Sequence, residues 1–230
     1  MNEYINNQIV IFKTFLIFSL SCLILLLVVM NTTSQKYRIN EITNNIDLSS
    51  NLQSLNNLYG KSIWYIDENS FEQIYTDNPV IKKLTITKNL PNKLVVSSEL
   101  YQQLVTIDDE RSSLKNMQIL YENNFVVKTE VEENNLPVLV ITNGPVEEGF
   151  RGELISFFKT LDKYKYVKNE LKLQFDGNQF VAFYYLGRYE LGPAIDLGRK
   201  GSILGTYLEE NFCSGTVRFI NSETTIENCS

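Results

Sequence analysis

The sequence predicts an α+β protein with an N-terminal transmembrane helix, a small β-α-α-β-β domain and a larger mixed domain dominated by antiparallel strands. Three observations carry this. Residues 9–30 are almost wholly apolar. Two runs at helical spacing and two alternating runs follow them over residues 37–103. From residue 104 to 230, short strand-like runs separated by Gly, Asn and Pro alternate with two helical stripes. At 230 residues and 43% apolar, the chain has material for one large or two small cores. It has no histidine, which excludes a Ser-His-Asp triad, a Cys-His dyad and any histidine zinc site. Twenty-one basic residues against 27 acidic ones leave a net charge of −6. No nucleic-acid partner is expected from that balance, because neutralising phosphates needs clustered Lys and Arg.

The apolar stretch 9–30, read as a helix, is ~33 Å long at ~1.5 Å per residue, enough for a hydrocarbon core of ~30 Å. Its one charge, Lys13, lies near the first end and can snorkel to the headgroups. Residues 1–8 form a short arm, expected in the cytoplasm. Met30-Asn31-Thr32-Thr33-Ser34 offers no A-x-A-like cleavage site, and Ser19 spoils a lipoprotein signal around Cys22. The span therefore reads as an uncleaved anchor. Lys36 and Arg38 after it slightly favour the reverse orientation by the positive-inside rule, but long following domains translocate largely regardless of charge. The expectation is an extracytoplasmic domain carrying the whole negative charge. With Cys22 in the span, Cys213 and Cys229 are the remaining thiols, either a disulfide or two free cysteines.

Weak alternation over 37–46 predicts a first strand. Leu52, Leu55 and Leu58 recur at helical spacing and stop at Gly60. Ile63-Trp64-Tyr65-Ile66 is apolar, so Trp64 is expected to be buried between helix and sheet. Asp67-Glu68-Asn69 can cap a second helix over 70–76, with Phe71, Ile74 and Tyr75 on one face, and Asn78-Pro79 ends it. Ile81, Lys83, Thr85 and Thr87 alternate with Val80, Lys82, Leu84 and Ile86. Asn89-Leu90-Pro91-Asn92 turns the chain into a return strand at Leu94-Val95-Val96.

In the second domain, Ile119-Leu120-Tyr121 and Phe125-Val126-Val127 flank Glu122-Asn123-Asn124 as a hairpin. Residues 136–141 are a buried-type run closed by Asn143-Gly144-Pro145. Phe150, Leu154, Phe157, Phe158 and Leu161 make an amphipathic helix. Leu171, Leu173 and Phe175 lead to the turn Asp176-Gly177, and 180–186 returns. Ile203, Leu204, Tyr207 and Leu208 form a short helical stripe before a final strand at 216–220.

Nothing in this order points to chemistry. Gly60-Lys61-Ser62 resembles the end of a phosphate loop, but Leu55 stands where the earlier glycine is needed. The doublets Asp108-Asp109, Glu132-Glu133, Glu147-Glu148 and Glu209-Glu210 lack the spacing of a calcium loop and read as solvated pairs. No motif singles out a serine for a Ser-Lys dyad. No catalytic residue, cofactor or metal ligand is assigned, and an enzyme is not expected.

The whole arrangement resembles the bacterial cell-division family FtsQ/DivIB. The most specific match is 60–67 (Gly-Lys-Ser-Ile-Trp-Tyr-Ile-Asp), followed by 78–84 (Asn-Pro-Val-Ile-Lys-Lys-Leu) and 87–96. These look like the family's POTRA domain: a glycine-ended helix, an x-x-x-I-D segment, a P-x-I/V-K turn and strands joined by x-x-P-N-x-L. Leu136-Pro137-Val138-Leu139 resembles its L-P-V-L strand. Leu191-Gly192, Lys200 and the stripe over 204–208 resemble the segment before its last strands. Of the family's Glu-Arg-x-Pro only Glu99 is kept in Glu99-Leu100-Tyr101-Gln102. Of its Asp-Leu-Arg only Arg218 is kept, and Asn124 replaces a hairpin glycine.

The resemblance implies a non-catalytic scaffold at the division septum. It also implies partners similar to FtsB/DivIC and FtsL and, through them, the septal wall synthases. A final strand at a sheet edge offers unpaired N–H and C=O groups to a partner strand. Thr216, Val217, Arg218, Phe219 and Ile220 are the expected edge, with Arg218 and Phe219 giving specificity. The plainer alternative for these two is a surface charge and a core ring. The runner-up function is a POTRA-bearing extracytoplasmic chaperone or secretion component.

Overall fold

The computed structural model describes residues 2–45, 53–111, 117–130, 135–146, 149–210, 213–220 and 225–229. Ile46, Leu52, Glu132-Glu133 and Glu147-Glu148 lie outside these. The chain divides into two compact units, Met1–Leu100 and Tyr101–Ser230.

The first unit begins with α1 (Asn2–Thr33), whose segment Phe12–Thr33 is long and apolar enough to cross a membrane. Every side chain from 12 to 31 is exposed. Ser21 donates to the carbonyl of Ile17 (2.8 Å), and Thr32 (3.1 Å) and Thr33 (2.7 Å) donate to that of Val29, so these hydroxyls are satisfied within the helix. A 3-10 turn, Gln35–Tyr37, delays the first strand, β1 (Glu41–Asn45), relative to the alternation in the sequence. α2 (Gln53–Asn56) and the turn after it bury Leu55 and Leu58, and Gly60 closes that turn at φ +78°, where a side chain would be strained.

Asp67 caps the next turn as expected. Its carboxylate accepts from the Ser70 N–H (3.1 Å), and the Ser70 hydroxyl accepts from the Asp67 N–H (3.3 Å). α3 (Glu72–Asp77) continues from it, and the Asn78 backbone and side-chain N–H groups both donate to the carbonyl of Ile74. Phe71 and Ile74 are buried, whereas Tyr75 is 38% exposed. β2 (Ile81–Asn89) and β3 (Lys93–Leu100) form the expected antiparallel pair. β1 joins parallel to β3, giving the order β1-β3-β2, and Leu94 and Val96 of the central strand are fully buried.

One expectation in this unit is overturned: Trp64 is not in the core. Residues Ile63–Tyr65 form a 3-10 turn, in which positions three apart eclipse. Ile63 and Ile66 therefore share the inward side, at 0% and 4% exposure, and Trp64 is left 43% exposed.

The second unit is built on one nine-stranded sheet. Its strands are β4 (Gln103–Asp109), β5 (Met117–Tyr121), β6 (Val126–Thr129), β7 (Val138–Ile141), β8 (Lys172–Phe175), β9 (Phe180–Tyr184), β10 (Gly187–Gly192), β11 (Thr216–Phe219) and β12 (Thr225–Asn228). The order is β12-β11-β10-β9-β8-β7-β4-β5-β6. Neighbours are antiparallel except at β4–β7, β7–β8 and β10–β11. Parallel neighbours need a crossover, usually a helix. α4 (Phe150–Leu161) and α5 (Lys165–Glu170) connect β7 to β8, and α6 (Leu197–Glu210) connects β10 to β11.

All five stripe residues of α4 are buried, and with Leu197, Leu204 and Leu208 of α6 they join one core with the sheet. Among the described residues the most buried charge is Lys168, held by Asp162 at 2.5 Å. The expectation that 216–220 is the open edge is corrected here. β11 is an inner strand, because the chain after it turns back and adds β12 on its outer side.

Candidate functional site

The candidate site is the end of the nine-stranded sheet where β11 and β12 lie. β11 is laddered on both sides. Thr216, Val217 and Arg218 face Arg188, Tyr189 and Glu190 of β10 in parallel register. Thr216, Val217, Arg218 and Phe219 face Asn228, Glu227, Ile226 and Thr225 of β12 in antiparallel register. No backbone row of β11 is left for a partner strand. β12 ends the sheet, and among the described residues nothing pairs with its outer side.

The five expected residues divide by their place in the strand. Val217 is fully buried among the core residues, and Thr216 is half-buried. Arg218 points outward and donates from Nε to Glu190 at 2.8 Å, while Arg188 donates to the other carboxylate oxygen at 3.2 Å. The two guanidinium groups, Arg218 foremost, hold the Glu190 carboxyl below its ordinary range. Phe219 is half-buried and packs edge-on against Tyr207 of α6 at 5.8 Å. Ile220 follows the strand and is 57% exposed. Beside Phe219 and Ile220 a cavity of about 210 Å³ opens, lined also by Leu191, Pro193, Lys200 and Ile203. The Lys200 ammonium donates to the Pro193 carbonyl (2.5 Å), and burial pushes its pKa down.

Three ties hold β12 in place. A Cys213–Cys229 disulfide, with Cα atoms 5.2 Å apart, joins its end to the start of β11. Tyr207 is hydrogen-bonded to Glu227, and burial together with that bond pushes the phenol pKa up to about 12. Gly215 lets the two chains approach, since a Cβ there would sit 2.0 Å from the Asn228 carbonyl oxygen. Reading the sequence missed β10 and β12, and with them the roles of Glu190, Tyr207 and Glu227 at this site. β12 has one apolar residue, Ile226, and that is exposed, so no alternation marks it. The cysteine pair does carry a signal, because bonding Cys229 to Cys213 requires the tail to turn back along residue 216.

Asp109 is paired with Arg111 at 2.6 Å, and that hydrogen bond lowers its carboxyl pKa. Among the described residues, no three His, Cys, Asp or Glu side chains cluster as a metal would need.

Residues 38–97 match the family model for the POTRA domain, FtsQ-type. A search of curated proteins finds no match to the chain. The matched stretch contains β1, β2, most of β3 and both short helices, together with the Asp67 cap and the Gly60 turn. The first unit thus carries an FtsQ-type POTRA domain behind one N-terminal apolar helix, an organisation consistent with the FtsQ/DivIB family.

Proposed function

We propose that this protein is a non-catalytic scaffold of the bacterial division machinery, anchored in the cytoplasmic membrane by α1 with both folded units outside the cytoplasm. The observation that carries the reading is the FtsQ-type POTRA domain over residues 38–97. The Cys213–Cys229 bridge supports the placement, since disulfides persist in oxidising compartments and are rare in the cytosol. The partners are small coiled-coil division proteins of the FtsB/DivIC and FtsL kind and, through them, the septal wall synthases.

Binding proceeds by strand addition to β12, whose outer backbone groups supply affinity while neighbouring side chains set register. Thr216 and Val217 then act from inside the sheet as support. Arg218, Phe219 and Ile220 lie one strand in from the added strand, and the long, exposed Arg218 side chain can reach across β12 toward it.

The test is capture of the partner from host membranes by the full-length chain in detergent, read by mass spectrometry, followed by affinity measurements on variants. N–H groups of successive strand residues point to opposite sides. Of Ile226→Pro and Glu227→Pro, one removes an outward donor and the other breaks the ladder to β11. At least one of them weakens binding tenfold or more, about 1.4 kcal/mol. Arg218→Glu, at an exposed side chain, weakens it without unfolding the protein. Wild-type affinity in all three folded variants overturns β12 as the interface.

A further inference from the structure

The residues just beyond α1 form a surface that the strand-addition site does not use. Segments 34–38 and 59–66 are far apart in sequence but bonded together at the exit of the helix. Arg38 and Ser62 form an isolated antiparallel bridge. The Ile39 N–H donates to the Lys61 carbonyl and the Gly60 N–H to the Ile39 carbonyl, both at 2.9 Å. The Arg38 guanidinium donates to the Gly60 carbonyl at 3.3 Å. The Ser62 hydroxyl donates to the carbonyl of Thr32, in the last turn of α1, at 2.9 Å. The surface is therefore hydrogen-bonded to the end of the apolar helix.

Its charge runs against the chain's overall balance. The two segments hold Lys36, Arg38 and Lys61 and no acidic residue, in a protein of net charge −6. All three cations are exposed. Between them stand aromatics that the core does not take. Trp64 is 43% exposed, Tyr59 46% and Tyr65 68%. Trp64 packs its ring on Tyr37 at 5.5 Å, and the Lys36 ammonium lies 5.8 Å from the Tyr37 ring. Trp and Tyr at the end of a span settle at headgroup depth, where an apolar ring and a polar edge are both satisfied. Basic side chains at that depth are drawn to anionic lipid.

We infer that this face is a lipid-binding platform: Trp64 and Tyr65 sit in the headgroup layer, with half-buried Tyr37 backing Trp64 against the core, and Lys36, Arg38 and Lys61 contact anionic headgroups of the bilayer that α1 spans. The inference rests on the reading of α1 as a membrane anchor. It gives the POTRA domain a fixed seat on the membrane, where a helix end alone would leave it free to swivel.

The chain has one tryptophan, so its fluorescence reads Trp64 alone. The full-length protein is reconstituted into vesicles of phosphatidylcholine, with and without phosphatidylglycerol, and floated on a density gradient to establish anchoring. Lipids brominated near the headgroup or deep in the acyl chain then serve as quenchers, with iodide as the aqueous one. Shallow bromolipid is expected to quench Trp64 several-fold more than deep bromolipid. The quenching rises with phosphatidylglycerol, and that rise is lost in a Lys36→Glu, Lys61→Glu double variant of unchanged circular dichroism. Protein that floats while Trp64 stays open to iodide and blind to shallow bromolipid overturns the platform and leaves the anchor standing. Quenching equal in both lipid mixtures overturns the platform as an anionic-lipid site. Protein that does not float overturns anchor and platform together.

Discussion

Ile63 is fully buried and its chain neighbour Trp64 is 43% exposed, because a 3-10 turn puts Ile63 and Ile66, not Trp64, on one side. Truncation should follow that difference. Ile63→Ala is expected to cost about 2–5 kcal/mol, the range for emptying a buried aliphatic site. Trp64→Ala should cost less, about 0.5–1.5 kcal/mol for the lost ring contact with Tyr37. Urea melts of the full chain in detergent, followed by circular dichroism, separate the two. Tyr207 offers a second residue-scale test. Its phenol pKa is raised to about 12 by burial and by the bond to Glu227, so the protonated form is favoured in the folded state. That stabilisation is fully present below the ordinary phenol pKa near 10 and is lost as pH rises through about 12. Tyr207→Phe should flatten the loss of stability over that alkaline window, measured by urea melts at stepped pH.

Among the elements, β12 decides what the site is. Val217→Pro, which at an edge would merely block a partner, now falls in a strand paired on both sides with a fully buried side chain. It is expected to unfold the end of the sheet rather than report on binding. Gly215→Ala acts on β12 more selectively. The added Cβ collides with the Asn228 carbonyl, so β12 should detach while β11 keeps its ladder to β10. Hydrogen–deuterium exchange would then show protection lost over 225–228 and kept over 187–192. Removing the disulfide by Cys213→Ser should cost on the order of 3 kcal/mol, as expected for closing a loop of about this length. A chemical denaturation midpoint unchanged by that substitution would show that the bridge does not form in solution. The element that sequence reading placed best, α4, is the one whose stripe of five large apolar residues has a single way to be buried.

For the whole molecule, the two units and the N-terminal apolar helix set a topology test. A reporter active only outside the cytoplasm, fused after Ser230, should be active. Peptide mapping of the membrane-bound protein should recover residues ahead of Phe12. Activity of a cytoplasm-only reporter at the same position would reverse the orientation, and with it the compartment in which Cys213 and Cys229 pair. The β2–β3 hairpin, the hairpin at 117–129, the β8–β9 return, α4 and the long apolar helix were all legible in the sequence. Each rests on chain neighbours: alternation, helical spacing, or a turn residue in its place. They could be read because the forces that shape them act over a few residues.

What the sequence alone determined about this protein is therefore its parts and their order: an apolar helix long enough to cross a membrane, an FtsQ-type POTRA module and a strand-rich unit with two amphipathic helical stripes, α4 and α6. Only the tertiary structure decided that Thr216–Phe219 is an inner strand, that the polar segment Thr225–Asn228 is the edge, and that Trp64 faces out. A strand's neighbours are chosen by register and burial against residues distant in sequence, and its own period does not encode them. An edge strand with little to bury, such as β12, leaves the weakest local signal of all, and it is the strand on which the proposed partner site depends.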